Sequence, residues 1–205
     1  MPRQALFTKE EIVAKALQIV RENGVEALSA RSLGAALGSS SRPIFTVFRN
    51  MEEVEAEVRA AARKMFADYV DDVTDYVPAF KEFGLRMIRF ARQEQQLFRY
   101  LFLHRSAPSE GVPQKAKECL ESICADYGIS REQSVRLFRQ MWIFTCGLAL
   151  MNNKEKEVYT ERLVSDLISM QFVSTLNFIR SGKQLPDITP HLRREGEKTT
   201  VDFDR

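Results

Sequence analysis

Histidine and cysteine are scarce here, two of one and three of the other in 205 residues. His104 and His191 lie far apart, and no His/Cys spacing suggests a zinc site. No glycine-rich loop is present to cradle a phosphate, and no Ser/His/Asp order stands out. An enzyme therefore finds little support, and no catalytic residue, metal or cofactor is assigned. Long apolar runs are missing too. Charge interrupts each stretch well before the ~18 residues a membrane-spanning helix needs, so no membrane partner is expected. The N-terminus, Met1-Pro2-Arg3-Gln4, leads straight into an amphipathic pattern without a signal peptide. Cys119, Cys124 and Cys146 are an odd set inside helical apolar patterns. They read as buried free thiols in a reducing cytoplasm rather than a disulfide framework.

Apolar residues make up 44% of the chain and charged ones 28%, enough for a core in one or two domains. Net charge is only +2, but residues 1–50 hold seven Lys/Arg against four acids, a net of +3. The other 155 residues carry 23 bases against 24 acids. That fits a small basic head on a nearly neutral body.

Helical spacing dominates and no period-two pattern appears, which predicts an all-α protein of about nine helices. Thr8 and Glu11 form a capping box for a helix that stops at Asn23-Gly24. Ser29 caps a short second helix ending at Gly38. A third spans about 41–48, with Ser40 and Ser41 both open as its N-cap. Asn50 caps a fourth, with Glu53 at the box position, running to about Tyr76. Its apolar stripe is Val54, Val58, Ala61, Ala62, Met65, Tyr69 and Val73. Pro78 opens the next helical stretch, which breaks near Gln93–Gln96. A loop at 106–111 follows, then helices over 113–127, 130–152 and 160–181, and a tail over 183–205.

The stretch Leu37–Asn50, LGSSSRPIFTVFRN, is a helix-turn-helix signature: a helix ended by glycine, a serine-rich turn and a second short apolar helix. Such a motif places one helix in the major groove of DNA. With the ALSARSLGAALG stretch over 27–38, and Phe45, Phe48 and Arg49-Asn50-Met51-Glu52-Glu53-Val54 following in order, residues 6–66 resemble the head of the TetR family of transcriptional regulators. The segment Trp142 to Gly147, with Cys146 before the glycine, resembles the Trp-x3-His-Gly segment of one C-terminal subgroup of that family. Two positions depart from the family pattern: Phe45 stands where tyrosine is usual, and Met51 where lysine is usual.

The resemblance implies a helix-turn-helix domain over 6–66, a ligand-binding and dimerisation body over 67–182, and a homodimer. Its partners would be a pseudo-palindromic operator in double-stranded DNA and a small apolar or amphipathic effector. Transferred to this chain, Ser41, Arg42, Pro43 and Thr46 face base edges or nearby sugar-phosphate. Arg42 is able to pair bidentately with guanine, or else with phosphate or solvent. Lys9, Ser29, Arg31, Ser39, Ser40 and Arg49 are candidate phosphate contacts, the serines acting as caps as well. Phe45 is ambiguous between DNA and the head core. Arg3 would serve as an arm. Ile44, Val47 and Phe48 belong to the head core with Leu17, Leu33 and Leu37.

In the body, Phe83, Met87, Phe90, His104, Phe138, Trp142 and Cys146 are either core or the lining of an effector cavity. Leu163, Leu167, Met170, Val173 and Leu176 on the last helix, with Phe172 and Ile179, cover too much of it for one buried stripe. That suits an isologous four-helix dimer bundle. Two other readings stay open: a degenerate head acting as a protein-interaction module, and a Cys146-based enzyme.

Overall fold

The computed structural model describes residues 6–71, 79–103, 114–152 and 159–186. Among these are eight α-helices, two 3-10 turns and no strand. The helices are α1 (Lys9–Asn23), α2 (Ala30–Ala36), α3 (Met51–Asp71), α4 (Ala79–Gln93), α5 (Gln95–Phe102), α6 (Gln114–Tyr127), α7 (Arg131–Met151) and α8 (Glu161–Arg180). The 3-10 turns are Val25–Ala27 and Ile44–Thr46. No helix among the described residues is long and apolar enough to cross a membrane. Arg3, Pro78, His104, His191, the 106–111 loop and residues 187–205 lie outside the described residues.

Local signals set most helix starts. Thr8 and Glu11 satisfy each other's backbone N–H groups at the head of α1. Ser29 and Ser32 do the same for α2, and Ser130 and Gln133 for α7. Thr160 accepts from the Leu163 N–H to open α8. At the start of α3, Glu53 N–H donates to Asn50 Oδ1 at 2.9 Å, while the Glu53 carboxylate takes the Arg49 N–H at 2.8 Å.

The expected third helix over 41–48 is corrected. The segment forms i→i+3 turns around Ile44–Thr46, with Pro43 at its N-cap and no side-chain cap from Ser40 or Ser41. Thr46 Oγ1 also donates back to the Pro43 carbonyl at 2.6 Å, a local bond that competes with regular helix.

The central element is α3. Its buried positions are Val54, Val58, Ala62, Phe66 and Val70, one every fourth residue, with Arg59 beside them. This corrects the expected stripe: Ala61, Met65 and Tyr69 are only partly buried, and Val73 lies outside the described residues. Ile12, Ala16, Val20, Leu33 and Phe48 share one continuous core with α3 and with Phe83, Phe90 and Phe98 of α4 and α5. Leu17, Leu37 and Val47 pack at its edge. The Arg59 guanidinium lies over the Tyr100 ring at 4.5 Å, and Tyr100 Oη donates to the Glu55 carbonyl at 3.1 Å. Burial pushes the Tyr100 phenol above its ordinary pKa, with Arg59 acting in the opposite direction.

The break expected near 93–96 falls on Glu94, which caps α5. Its carboxylate receives Nε and Nη2 of Arg21 from α1, in the two-pronged geometry that suits guanidinium. At the other end of the chain Leu185 is buried, and Arg136 Nη1 donates to its carbonyl at 2.6 Å.

Phe66 meets Phe90 and Phe102 at 5.1 Å and Phe83 at 6.5 Å between ring centroids. Phe66→Ala should lower stability by about 3–5 kcal/mol, and Met65→Ala by less than half as much. Urea unfolding of the two variants checks the difference.

Candidate nucleic-acid interface and apolar body

The turn between α2 and α3 is held by backbone geometry. After Ala36 the chain closes with Gly38 at φ +68°, a left-handed position that suits glycine. Ser39 N–H donates to the Gly34 carbonyl at 2.9 Å, and Gly38 N–H to the Ala35 carbonyl at 3.0 Å. That pair of bonds is a Schellman closure. Gly34 also packs against the returning chain. A Cβ there would lie 2.9 Å from both the Ser40 carbonyl carbon and the Ser41 nitrogen. Gly34 is thus the contact that sets where 40–46 sits on α2, and sequence reasoning passed over it. A glycine inside a seven-residue helix was the available signal, since it weakens the helix unless packing demands it.

Beyond this turn, Arg42, Phe45, Thr46 and Arg49 are all exposed, while Ile44 and Phe48 are buried beneath them. Phe45 keeps 44% of its surface open. Ser39, Ser41 and Pro43 are partly buried, and Ser40 is exposed. Ser29 and Arg31 are exposed at the opposite end of α2. Ser29 also accepts the Ser32 N–H at 3.1 Å as cap.

Lys9 stands at the start of α1 with Nζ 6.0 Å from the Phe48 ring centre, which brings it to the end of the turn. Its ammonium is bound to Glu57 Oε1 at 2.6 Å. The hydrogen bond from Glu57, then the nearby Glu57, Glu53 and Glu10 charges, hold the Lys9 pKa above the usual lysine value, with desolvation opposing. Glu57 was not foreseen as its partner.

In the body, Phe83, Phe138 and Trp142 form one cluster, with ring centroids 5.8–6.2 Å apart. Phe102 joins Trp142 at 5.5 Å and Phe66 at 5.1 Å, and Phe90 joins through Phe66. Met87 is fully buried. Phe66 and Phe102 were not on the predicted list; only the fold brings α3 and α5 to this place. Burial pushes the Cys146 thiol up to about 12, and Cys119 likewise, so both are thiols at neutral pH. Two clefts among the described residues open elsewhere. One of about 370 Å³ lies between Val25, Glu26, Gln96, Arg99, Tyr100 and Leu103. The other, about 220 Å³, runs along Gln133, Arg136, Lys183 and Leu185.

The outer faces of α7 and α8 carry exposed apolar side chains: Ile143, Leu150 and Met151 on one, Leu163, Met170, Val173 and Phe178 on the other. Gly147 faces open space between them in sequence. Leu167 is partly buried against the core. Leu176 is corrected as a face residue. Its spacing from Ile168 and Phe172 turns it inward, and only 4% of it is exposed.

Compared by sequence, the chain matches no family profile and no curated protein. Compared by fold, it is similar to a single-substitution variant of TetR from Acinetobacter baumannii AYE, solved in complex with minocycline. That match has a TM-score of 0.56 and 17% identity, over 87% of this chain and 99% of the other. It is also similar to a structural-genomics target assigned as a transcriptional regulator from Streptomyces coelicolor A3(2). There the TM-score is 0.53 and the identity 17%, with the same shares covered. The likeness is one of fold: this chain has the all-helical TetR-like architecture.

Gly34→Ala should force the backbone at 40–41 away from α2. A loss of about 1–3 kcal/mol is expected from such overpacking. Faster amide exchange at Ser39 and Thr46 than in the α8 helix, with an unchanged Gly147→Ala control, would locate the damage in the turn.

Proposed function

We propose that this protein is a sequence-specific DNA-binding transcriptional regulator that works as a homodimer. In this reading residues 6–66 form the DNA-binding head, 67–182 the effector-binding and dimerisation body, and 183–205 a tail. The observation that carries it is the exposed row Arg42, Phe45, Thr46 and Arg49, standing on a turn that Gly34 locks against α2. Binding residues concentrate on loops that a packed scaffold positions. The TetR-like architecture points the same way.

Arg42 is the base-reading candidate, and a bidentate pair with guanine discriminates by about 1–3 kcal/mol. Arg31, Arg49 and the serines at 29, 39 and 40 suit backbone phosphates. The second half-site is bound by a second copy, joined through Ile143, Leu163, Met170 and Val173, all exposed and apolar. Two recognition elements must then match half-sites roughly 34–36 Å apart or a multiple of it.

Regulation is proposed as repression released by a small apolar or amphipathic effector. The variant of TetR similar in fold holds minocycline, and the ring cluster of Phe83, Phe138 and Trp142 is the corresponding candidate here. Phe83 and Phe138 are buried there with ring centroids 6.1 Å apart, so a ligand would enter by displacing ring contacts. Phe66 belongs to the same cluster and to α3, whose first residue follows the recognition turn. Displacement of the rings is thereby passed to the spacing of the two heads, a coupling typically worth about 1–3 kcal/mol.

The test is selection of bound sequences from random duplex DNA at two salt concentrations. A pseudo-palindrome should emerge, relaxed at one position per half-site by Arg42→Ala. Arg49→Ala should instead weaken all sequences alike and flatten the log–log salt slope by about two, one phosphate per half-site. No enrichment by a verified dimer would overturn the reading and favour a protein-interaction module. A separate variant, Val173→Asp, should give monomers by sedimentation, with binding to the palindrome lost and helical content retained.

A further inference from the structure

Between the two exposed arginines, the recognition turn has no hydrogen to give from its outward side chains. Pro43 has no N–H and an apolar ring. Phe45 is exposed and carries no polar atom in its side chain. Thr46 is exposed, yet its hydroxyl proton is donated to the Pro43 carbonyl at 2.6 Å. A threonine hydroxyl has one proton. What Thr46 has left to present is its methyl group and acceptor lone pairs.

The turn therefore offers an apolar pair, the Phe45 ring and the Thr46 methyl, flanked by guanidinium groups at 42 and 49. In the major groove only one base group matches an apolar pair, the C5-methyl of thymine. We infer that Phe45 and Thr46 are specificity-determining residues that read thymine methyls in each half-site, beside the position read by Arg42. Phe45 leaves 44% of its surface open in the free protein, apolar area that a thymine methyl can cover. The Phe45 side chain has no hydrogen-bond donor to offer a phosphate oxygen, so it suits a methyl rather than the DNA backbone. This inference rests on the proposed DNA-binding role, and its test separates the two.

The probe is the duplex obtained by selection with the full-length protein, remade with each thymine replaced in turn by deoxyuridine, which removes only the methyl. Affinity is read by fluorescence anisotropy at fixed salt. Wild-type protein should lose roughly fourfold per methyl removed at one or two positions in a half-site, the value of burying one methyl group. Replacing the symmetric pair should cost roughly fifteenfold. Phe45→Ala should bind thymine and uracil duplexes equally at one of those positions. Thr46→Ser keeps the hydroxyl and should lose a thymine preference, whereas Thr46→Val keeps the methyl and should retain it.

A selected half-site without thymine, or uracil duplexes bound as tightly as thymine ones, overturns the inference while the DNA-binding role stands. So does a preference that survives Phe45→Ala and Thr46→Ser, or one that Thr46→Val abolishes. Failure to bind any duplex overturns both.

Discussion

A single stripe along α3 holds the molecule together. Val54, Val58, Ala62, Phe66 and Val70 recur every four residues, and all are buried. The stripe packs with α1 residues such as Ile12, Ala16 and Val20, and with the phenylalanines of α4 and α5. Because those residues share one core, α3 cannot shift against the N-terminal elements without shifting against the body as well. Polar contacts reinforce the same junction. Arg21 grips Glu94 at the α4–α5 break, and Tyr100 ties α5 to the Glu55 carbonyl with Arg59 laid across its ring. A close-packed interior transmits displacement rather than absorbing it.

The turn between α2 and α3 follows a different logic, with backbone in place of side-chain burial. Gly34 removes a Cβ so that the chain returns within contact of α2, and Gly38 supplies the left-handed residue that turns it. Ile44 and Phe48 pin the turn from below. The side chains above are then placed without a full helix of their own.

Much of this was legible in the sequence where the cause is local. The caps at Thr8 and Ser29 stand where expected, because a hydroxyl three residues from a free N–H acts within one turn. The break at Glu94 and the glycine ends were readable for the same reason. What escaped depended on distant parts of the chain. On α3 the expectation meets the buried stripe at Val54, Val58 and Ala62 and departs from it at Ala61, Met65 and Tyr69, because that neighbouring row looks equally apolar until α4 and α5 choose a side. Leu176 turned inward, while Leu163, Met170 and Val173 remained outside, by the same kind of choice. The third helix was overestimated, since neither the Thr46 back-bond nor the demands of the α3 cap are visible as periodicity. Of the proposed interface, the residue types were readable, but the lock at Gly34 and the Glu57 partner of Lys9 were not.

The pairing of Lys9 with Glu57 has a thermodynamic consequence for any polyanion that meets this end of α1. An exposed lysine attracts mobile ions, and a nucleic acid sheds its own when it binds one, which is the entropic source of such affinity. Lys9 already has an anion beside it on a covalent tether, the Glu57 carboxylate. Moving that anion aside frees nothing into solution from the protein, and it leaves a carboxylate close to the incoming phosphate. The chain thus carries its own fixed counterion at a position where a bare cation would add indiscriminate stickiness.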